Sequence, residues 1–263
     1  MCRPTSIRKT RVFYFEVCFA PAQSANASIR VVLRIKGSNS SDSEGQPRLT
    51  MDTDESFRLS IANERVEIEA ETYFGCRHGL ETLSQLISYD ELTDSLQMHE
   101  SGLIEDTPSY IHRGLLIDTS RNYFHLDILK GIVDAMSYNK MNVFHWHITD
   151  THSFPLHLKS VPELAEYGAY SPEKTYSPED VVHLVDYARV RGVKVMPEFD
   201  APAHVGNGWQ FAEKNHPEWG KLAVCVNQEE WQDFCVEPPC GQVSSCSTSH
   251  GTGWRHIAFT VQC

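Results

Sequence analysis

Three apolar runs in the middle of the chain each end on an aspartate, and helix-forming segments separate them. The first is Arg113-Gly-Leu-Leu-Ile-Asp118. The second spans Met141 to Ile148 with Asp150 just beyond, and the third is Val193-Lys-Val-Met-Pro-Glu-Phe199 followed by Asp200. A continuous apolar run suits a strand covered on both faces, as in a parallel sheet flanked by helices. Ile128, Leu129, Ile132, Val133 and Met136 recur at helical spacing and predict a helix over 126–139. Ser177-Pro-Glu-Asp180 offers a serine cap, a proline at the first helical position and an acid three residues on. The helix it opens carries Val181, Val182, Leu184, Val185 and Ala188 and stops at Gly192. The order βαβαβ predicts an α/β unit built on a parallel sheet.

In such sheets the carboxyl ends of the strands face the ligand. Asp118 with Arg121, Asp150, and Asp200 with His204 all sit at those ends, so Arg121, Asp150 and His204 are expected to converge despite their separation in sequence. One strand-end aspartate merely caps a turn; three in succession, with an arginine and a histidine beside them, point to a catalytic or ligand site. His145 and His147 share a strand face, because alternate residues do. With Asp150 and His204 they form a conceivable zinc or iron set, as in a metal-dependent barrel hydrolase. The plainer reading, packed and hydrogen-bonded core histidines, is favoured. Trp209 and Trp219 are candidates for stacking on a sugar, against the plainer expectation of buried aromatics.

Upstream the pattern differs. Residues 29–35 read as a strand, and the loop at 37–45 is rich in serine and glycine. Phe57, Leu59 and Ile61, then Val66, Ile68 and Ala70, alternate with polar residues around a turn at 62–65, predicting a hairpin. Leu80, Leu83, Leu86 and Ile87 share the face of a helix expected over 74–87. This is a small α+β domain over 26–108, followed by the parallel unit over 109–242. Residues 1–25 and the Ser/Thr/Cys/His-rich stretch 243–263 carry no pattern that places them in either.

The formal net charge of −12 disfavours nucleic acid, whose binding rests on basic surface. No run of about 18 apolar residues offers a membrane span. Residues 8–20 imitate a secretory signal, but Glu16 interrupts the apolar run and makes it a damaged or false one. Asn26-Ala27-Ser28 and Asn39-Ser40-Ser41 are glycosylation sequons. Of eight cysteines, Cys235 and Cys240 are the tightest pair, across a loop stiffened by two prolines. They are compatible with a local disulfide in an oxidising compartment, or with two free thiols in the cytosol.

Four segments carry a family resemblance: 112–124 (HRGLLIDTSRNYF), 142–156 (NVFHWHITDTHSFPL), 190–209 (VRGVKVMPEFDAPAHVGNGW) and 234–242 (FCVEPPCGQ). Together they resemble the family-20 glycoside hydrolases, the β-N-acetylhexosaminidases, and within them the insect chitooligosaccharide-degrading type. Residues 73–86 are similar to that family's N-terminal α+β domain. The resemblance implies a (β/α)8 TIM barrel behind a small α+β domain. It also implies removal of terminal N-acetylhexosamine from chitooligosaccharides or glycans by a retaining mechanism in which the substrate's own acetamido oxygen attacks C1, an exception to the two-carboxylate rule. On that resemblance Arg121 binds hydroxyls of the non-reducing GlcNAc, while Asp150 and His204 form a hydrogen-bonded relay behind the general acid. No metal or other cofactor is implied. A secreted or lysosomal location and a homodimeric full-length parent are.

One departure bears on activity. The family's acetamido-orienting Asp and acid/base Glu lie together in a Gly-Gly-Asp-Glu motif after the fourth strand. Here the only Asp-Glu pairs are Asp54-Glu55 and Asp90-Glu91, in the α+β region. About three of eight βα units precede Gln242, whereas a whole barrel takes about 250 residues. The expectation is therefore a barrel cut short, by splicing, a frameshift or a gene-model error, and inactive by itself. The alternative is a non-catalytic GlcNAc- or chitin-binding or interaction fragment.

Overall fold

The computed structural model describes residues 11–18, 28–37, 49–62, 64–92, 94–200 and 204–209. They fall into two units, one running up to Arg113 with Ser137–Met141 added, the other Gly114–Met136 and Asn142 onward.

The first unit is built on a five-stranded sheet of β1 (Arg11–Cys18), β2 (Ser28–Ile35), β3 (Phe57–Ala62), β4 (Arg65–Ala70) and β7 (Ser101–Asp106). A helix, α1 (Tyr73–Gln85), and a short hairpin, β5 (Ser88–Asp90) with β6 (Ser95–Gln97), lie between β4 and β7. The sheet order is β1-β2-β4-β3-β7, antiparallel except for the parallel pair β2–β4. The stretch that imitates a signal thus contains a strand paired to β2. The expected hairpin is present: Phe57, Leu59 and Ile61 face Val66, Ile68 and Ala70 in one buried layer, joined by Val31, Leu33 and Ile35 of β2. Thr72 caps α1 by accepting from the Gly75 N–H at 3.1 Å, which starts the helix one residue earlier than the periodicity predicts.

The buried face of α1 also differs from the leucine stripe expected. Leu80 is exposed, and the helix meets the sheet through Gly75, Cys76, Gly79 and Leu83, with Phe74 and His78 also buried. The reason is close approach: a Cβ on Gly79 would lie 2.5 Å from Ile68 Cγ2 and 3.2 Å from the Phe57 ring. Beneath the helix, Glu55 is buried and receives both 2.8 and 2.9 Å hydrogen bonds from Arg113 Nη2.

The second unit follows the predicted order: β8 (Gly114–Asp118), α2 (Leu126–Tyr138), β9 (Val143–Thr149), α3 (Glu163–Gly168), α4 (Pro178–Arg189) and β10 (Lys194–Phe199). β9 is central in a three-stranded parallel sheet, β10-β9-β8. Ser177 and Asp180 form a reciprocal capping box at α4, and Gly192 takes a positive φ of 75° just after that helix ends. Leu129, Val133 and Met136 of α2 are buried, whereas Ile128, placed on the same stripe by spacing, is exposed. β9 is buried around Phe144 and Trp146 at every residue but the partly exposed His145. β8 departs from the two-sided cover expected of it, with Leu115 39% and Leu116 50% exposed. Among the described residues it is an edge strand with a partner on one side only.

Candidate active site

The strand register fixes where the ionisable side chains meet. Parallel pairing aligns Asp118 with His147 and His147 with Glu198, one residue from each of β8, β9 and β10. The pairing then slips, with Phe199 opposite Thr149, so that Asp150 and Asp200 continue the polar row beyond the strand ends.

Asp118 folds the chain back on itself. Its Oδ1 accepts the backbone N–H groups of Ser120 at 3.0 Å and Arg121 at 2.9 Å, while its Oδ2 lies 3.2 Å from Arg121 Nη1. The guanidinium then reaches Asp150, Nη2 to Oδ2 at 2.7 Å. Arg121 remains half exposed, so the group is held on one side and open on the other.

Asp150 is 2% exposed and saturated with donors. Oδ2 accepts from Arg121 and from His147 Nε2 at 3.0 Å; Oδ1 accepts the Thr151 N–H at 2.5 Å and faces His152 Nδ1 at 3.4 Å. Burial raises its pKa, but the His147 hydrogen bond and the Arg121 charge outweigh burial and hold the carboxyl below its ordinary range. His204 donates from Nδ1 to Asp200 Oδ2 at 2.5 Å, with Asp150 Oδ2 3.7 Å from the same nitrogen. Arg121, Asp150 and His204 are therefore brought together as expected, with Asp200 as the immediate partner of the histidine.

Sequence reasoning missed Glu198. Its Oε2 accepts from His145 Nε2 at 2.6 Å and from His147 Nδ1 at 3.0 Å. The signal was an acid inside an otherwise apolar strand, two residues before Asp200 and so on the same face. Three sets of donors lie close enough to hold a cation: Asp118–His147–Asp150, His147–Glu198–Asp200 and Asp150–Asp200–His204. A metal-bound imidazole must be neutral and present a lone pair. Both nitrogens of His147 face carboxylates instead. Burial lowers its pKa, but the hydrogen bonds to Glu198 and Asp150 and the charges of Glu198 and Asp118 override that and raise it. The donor chemistry therefore fits an ion-paired row better than a metal centre.

Trp146, between the two histidines, points to the opposite face and is buried, donating from Nε1 to Thr119 Oγ1 at 2.8 Å and packing edge-on against Tyr176. Trp219, Cys235, Cys240, Asn26 and Asn39 lie outside the described residues.

Residues 110–257 match the model of glycosyl hydrolase family 20, catalytic domain, and residues 6–86 match one described as beta-acetyl hexosaminidase like. The chain belongs to glycosyl hydrolase family 20. This family-20 chain is 48% identical over 200 residues to a chitooligosaccharidolytic beta-N-acetylglucosaminidase of Bombyx mori, covering 74% of the chain and 32% of that relative. It is 45% identical over 204 residues to the probable beta-hexosaminidase fdl of Drosophila melanogaster, covering 76% of the chain and 31% of the relative. It thus spans about a third of the length of these curated relatives. Among solved structures, a Flavobacterium johnsoniae chitobiase superposes with a TM-score of 0.55 at 37% identity, covering 58% of this chain and 23% of that one. A mutant Streptomyces plicatus beta-hexosaminidase in complex with the product GlcNAc gives a TM-score of 0.52 at 32% identity, covering 57% and 32%. The α/β architecture and the partial barrel of a family-20 catalytic domain therefore stand as read from sequence. No helix among the described residues is long and apolar enough to cross a membrane.

Proposed function

We propose that this chain supplies the sugar-gripping half of a β-N-acetylhexosaminidase active site, acting on terminal non-reducing N-acetylhexosamine of chitooligosaccharides or related glycans. The observation that carries the reading is the Arg121–Asp150 pair with His204 beside it, at the carboxyl ends of adjacent parallel strands. Arg121 is fixed by two carboxylates and keeps outward N–H groups for sugar hydroxyls. Asp200 accepts Nδ1–H of His204, with Asp150 Oδ2 3.7 Å from the same nitrogen, so that Nε2 is the nitrogen that would meet a general acid. In the substrate-assisted scheme the acetamido oxygen attacks C1 as the general acid protonates the departing oxygen. An imidazole with a fixed tautomer behind that acid tunes its pKa between the two steps.

The Asp that orients the acetamido group and the acid/base Glu have no counterpart after a parallel strand in these 263 residues. General acid–base catalysis contributes roughly 10²–10⁴ in rate. The chain by itself should therefore leave a chromogenic GlcNAc glycoside intact. Turnover abolished by Asp150→Asn would overturn that part of the reading and make the segment self-sufficient.

The same missing pair favours a second reading, a fragment that binds GlcNAc or chitin without cleaving it. Isothermal titration with GlcNAc tests the grip that both readings share: binding that Arg121→Ala removes, without turnover, supports it, and no binding overturns both. The assignment of 26–108 as the accessory domain and 109–242 as the partial barrel, with 1–25 and 243–263 outside both, belongs to this reading. So do the Cys235–Cys240 disulfide, glycans on Asn26 and Asn39, a secreted or lysosomal location, and a homodimeric whole protein without affinity for nucleic acid.

A further inference from the structure

Glu198 and His147 are used by nothing in the mechanism above, yet they occupy the centre of the polar row. Glu198 is buried on β10 and accepts two hydrogen bonds on one oxygen, from His145 Nε2 at 2.6 Å and His147 Nδ1 at 3.0 Å. The opposite nitrogen of the same imidazole, His147 Nε2, lies 3.0 Å from Asp150 Oδ2, the oxygen that also receives Arg121. A neutral imidazole carries one N–H and can serve only one of two carboxylates. A ring between two carboxylates is matched to both only when each nitrogen bears a proton.

We propose that Glu198 is a positioning residue for the sugar site: by holding Nδ1–H of His147 it aims Nε2–H at Asp150 and thereby fixes the carboxylate that grips Arg121. The inference rests on the hexosaminidase reading for what Arg121 binds, but the coupling from Glu198 to Asp150 is independent of it. The charged groups around the ring are consistent with the role. Asp118 faces it from β8, Glu198 from β10, Asp150 from the loop after β9 and Asp200 from beyond β10, with Arg121 one contact further on. His145, on the same strand face, donates to the same oxygen of Glu198.

The test is nitrogen-15 NMR of the histidine side chains in the 263-residue chain at pH 7.5, with His147→Gln to assign the signal. In the unsubstituted chain both ring nitrogens of His147 should carry protons, because each faces a carboxylate at 3.0 Å. Glu198→Gln keeps the shape and removes the charge, and should convert the ring to the singly protonated form at that pH. His145→Gln leaves the Glu198–His147 contact in place, so the doubly protonated signature should survive. A neutral His147 in the unsubstituted chain overturns the proposal without any variant, as does a signature that Glu198→Gln leaves unchanged. GlcNAc titration then separates the two layers. A chain that keeps the Glu198-dependent signature but binds no GlcNAc sinks the sugar-site reading and leaves the coupling intact. A chain that binds GlcNAc with an affinity that Glu198→Gln lowers less than about twofold removes Glu198 from the grip; a loss of about tenfold supports it.

Discussion

His204 donates from Nδ1 to Asp200 at 2.5 Å, and Asp150 stands 3.7 Å from the same nitrogen. His204 is also one of three non-glycine residues among those described with positive φ, at 56°. That conformation is uncommon for a residue with a side chain and persists where surroundings over-determine it. Here a short hydrogen bond to a buried aspartate four residues back supplies the determination.

The first prediction concerns that pair. Asp200→Asn replaces a carboxylate acceptor with an amide, so the Nδ1–H tautomer of His204 loses its lock. Nitrogen-15 spectra should show the tautomer ratio of His204 change in Asp200→Asn and change less in Asp150→Asn. The reverse order would make Asp150 the controlling partner.

The second concerns acid stability of the first unit. His78 is 1% exposed, and burial, followed by the positive charges of Arg77, Arg113 and Lys140, lowers its pKa to about 4 from 6.5. The unfolded chain therefore binds more protons than the folded one between those values, so stability is full above about pH 6.5 and declines as pH falls toward 4. The loss amounts to roughly 3 kcal/mol for a shift of this size. Urea melts at pH 7 and pH 4.5 should show the decline, and His78→Leu should flatten this part of it.

A third prediction sets packing against propensity. Gly79→Ala adds helix propensity worth about 1 kcal/mol. It also drives a methyl to 2.5 Å from Ile68 Cγ2, in a core where overpacking costs about 1–3 kcal/mol. The net effect should be destabilising, seen as a lower denaturant midpoint, whereas Gly131→Ala, which meets nothing within 4 Å, should raise it.

The fourth concerns cations. Since the donors in the polar row are already matched to one another, dialysis against a chelator, or addition of zinc, should move the thermal midpoint by less than about 1 °C. Tight binding would shift it by several degrees through linkage.

The parallel unit could be read from sequence because each of its elements announces itself locally: an apolar run, a serine-proline-acid cap, a glycine stop. Convergence of Asp118, Asp150 and Asp200 followed from topology alone. Glu198 did not, because its meaning lies in register, which pairs it with His147 across strands fifty residues apart. The stripe on α1 misled for a related reason. Leu80 satisfies helical periodicity, but the approach distance set by Gly75 and Gly79 decides which side docks. β1 escaped notice because its sequence imitates a targeting segment, and its strand character lies in its pairing with β2.

The polar row also bears on the order in which such a protein is made. Asp118, Arg121, His147, Asp150, Glu198, Asp200 and His204 come from one stretch of the chain and hydrogen-bond to one another across neighbouring strands. As a chain emerges from the ribosome, its earlier segments fold first. Each carboxylate here meets a hydrogen-bond donor from the same or the next strand, so no buried carboxylate has to wait for a distant part of the polypeptide. The polar row can therefore be assembled while the chain is still being made.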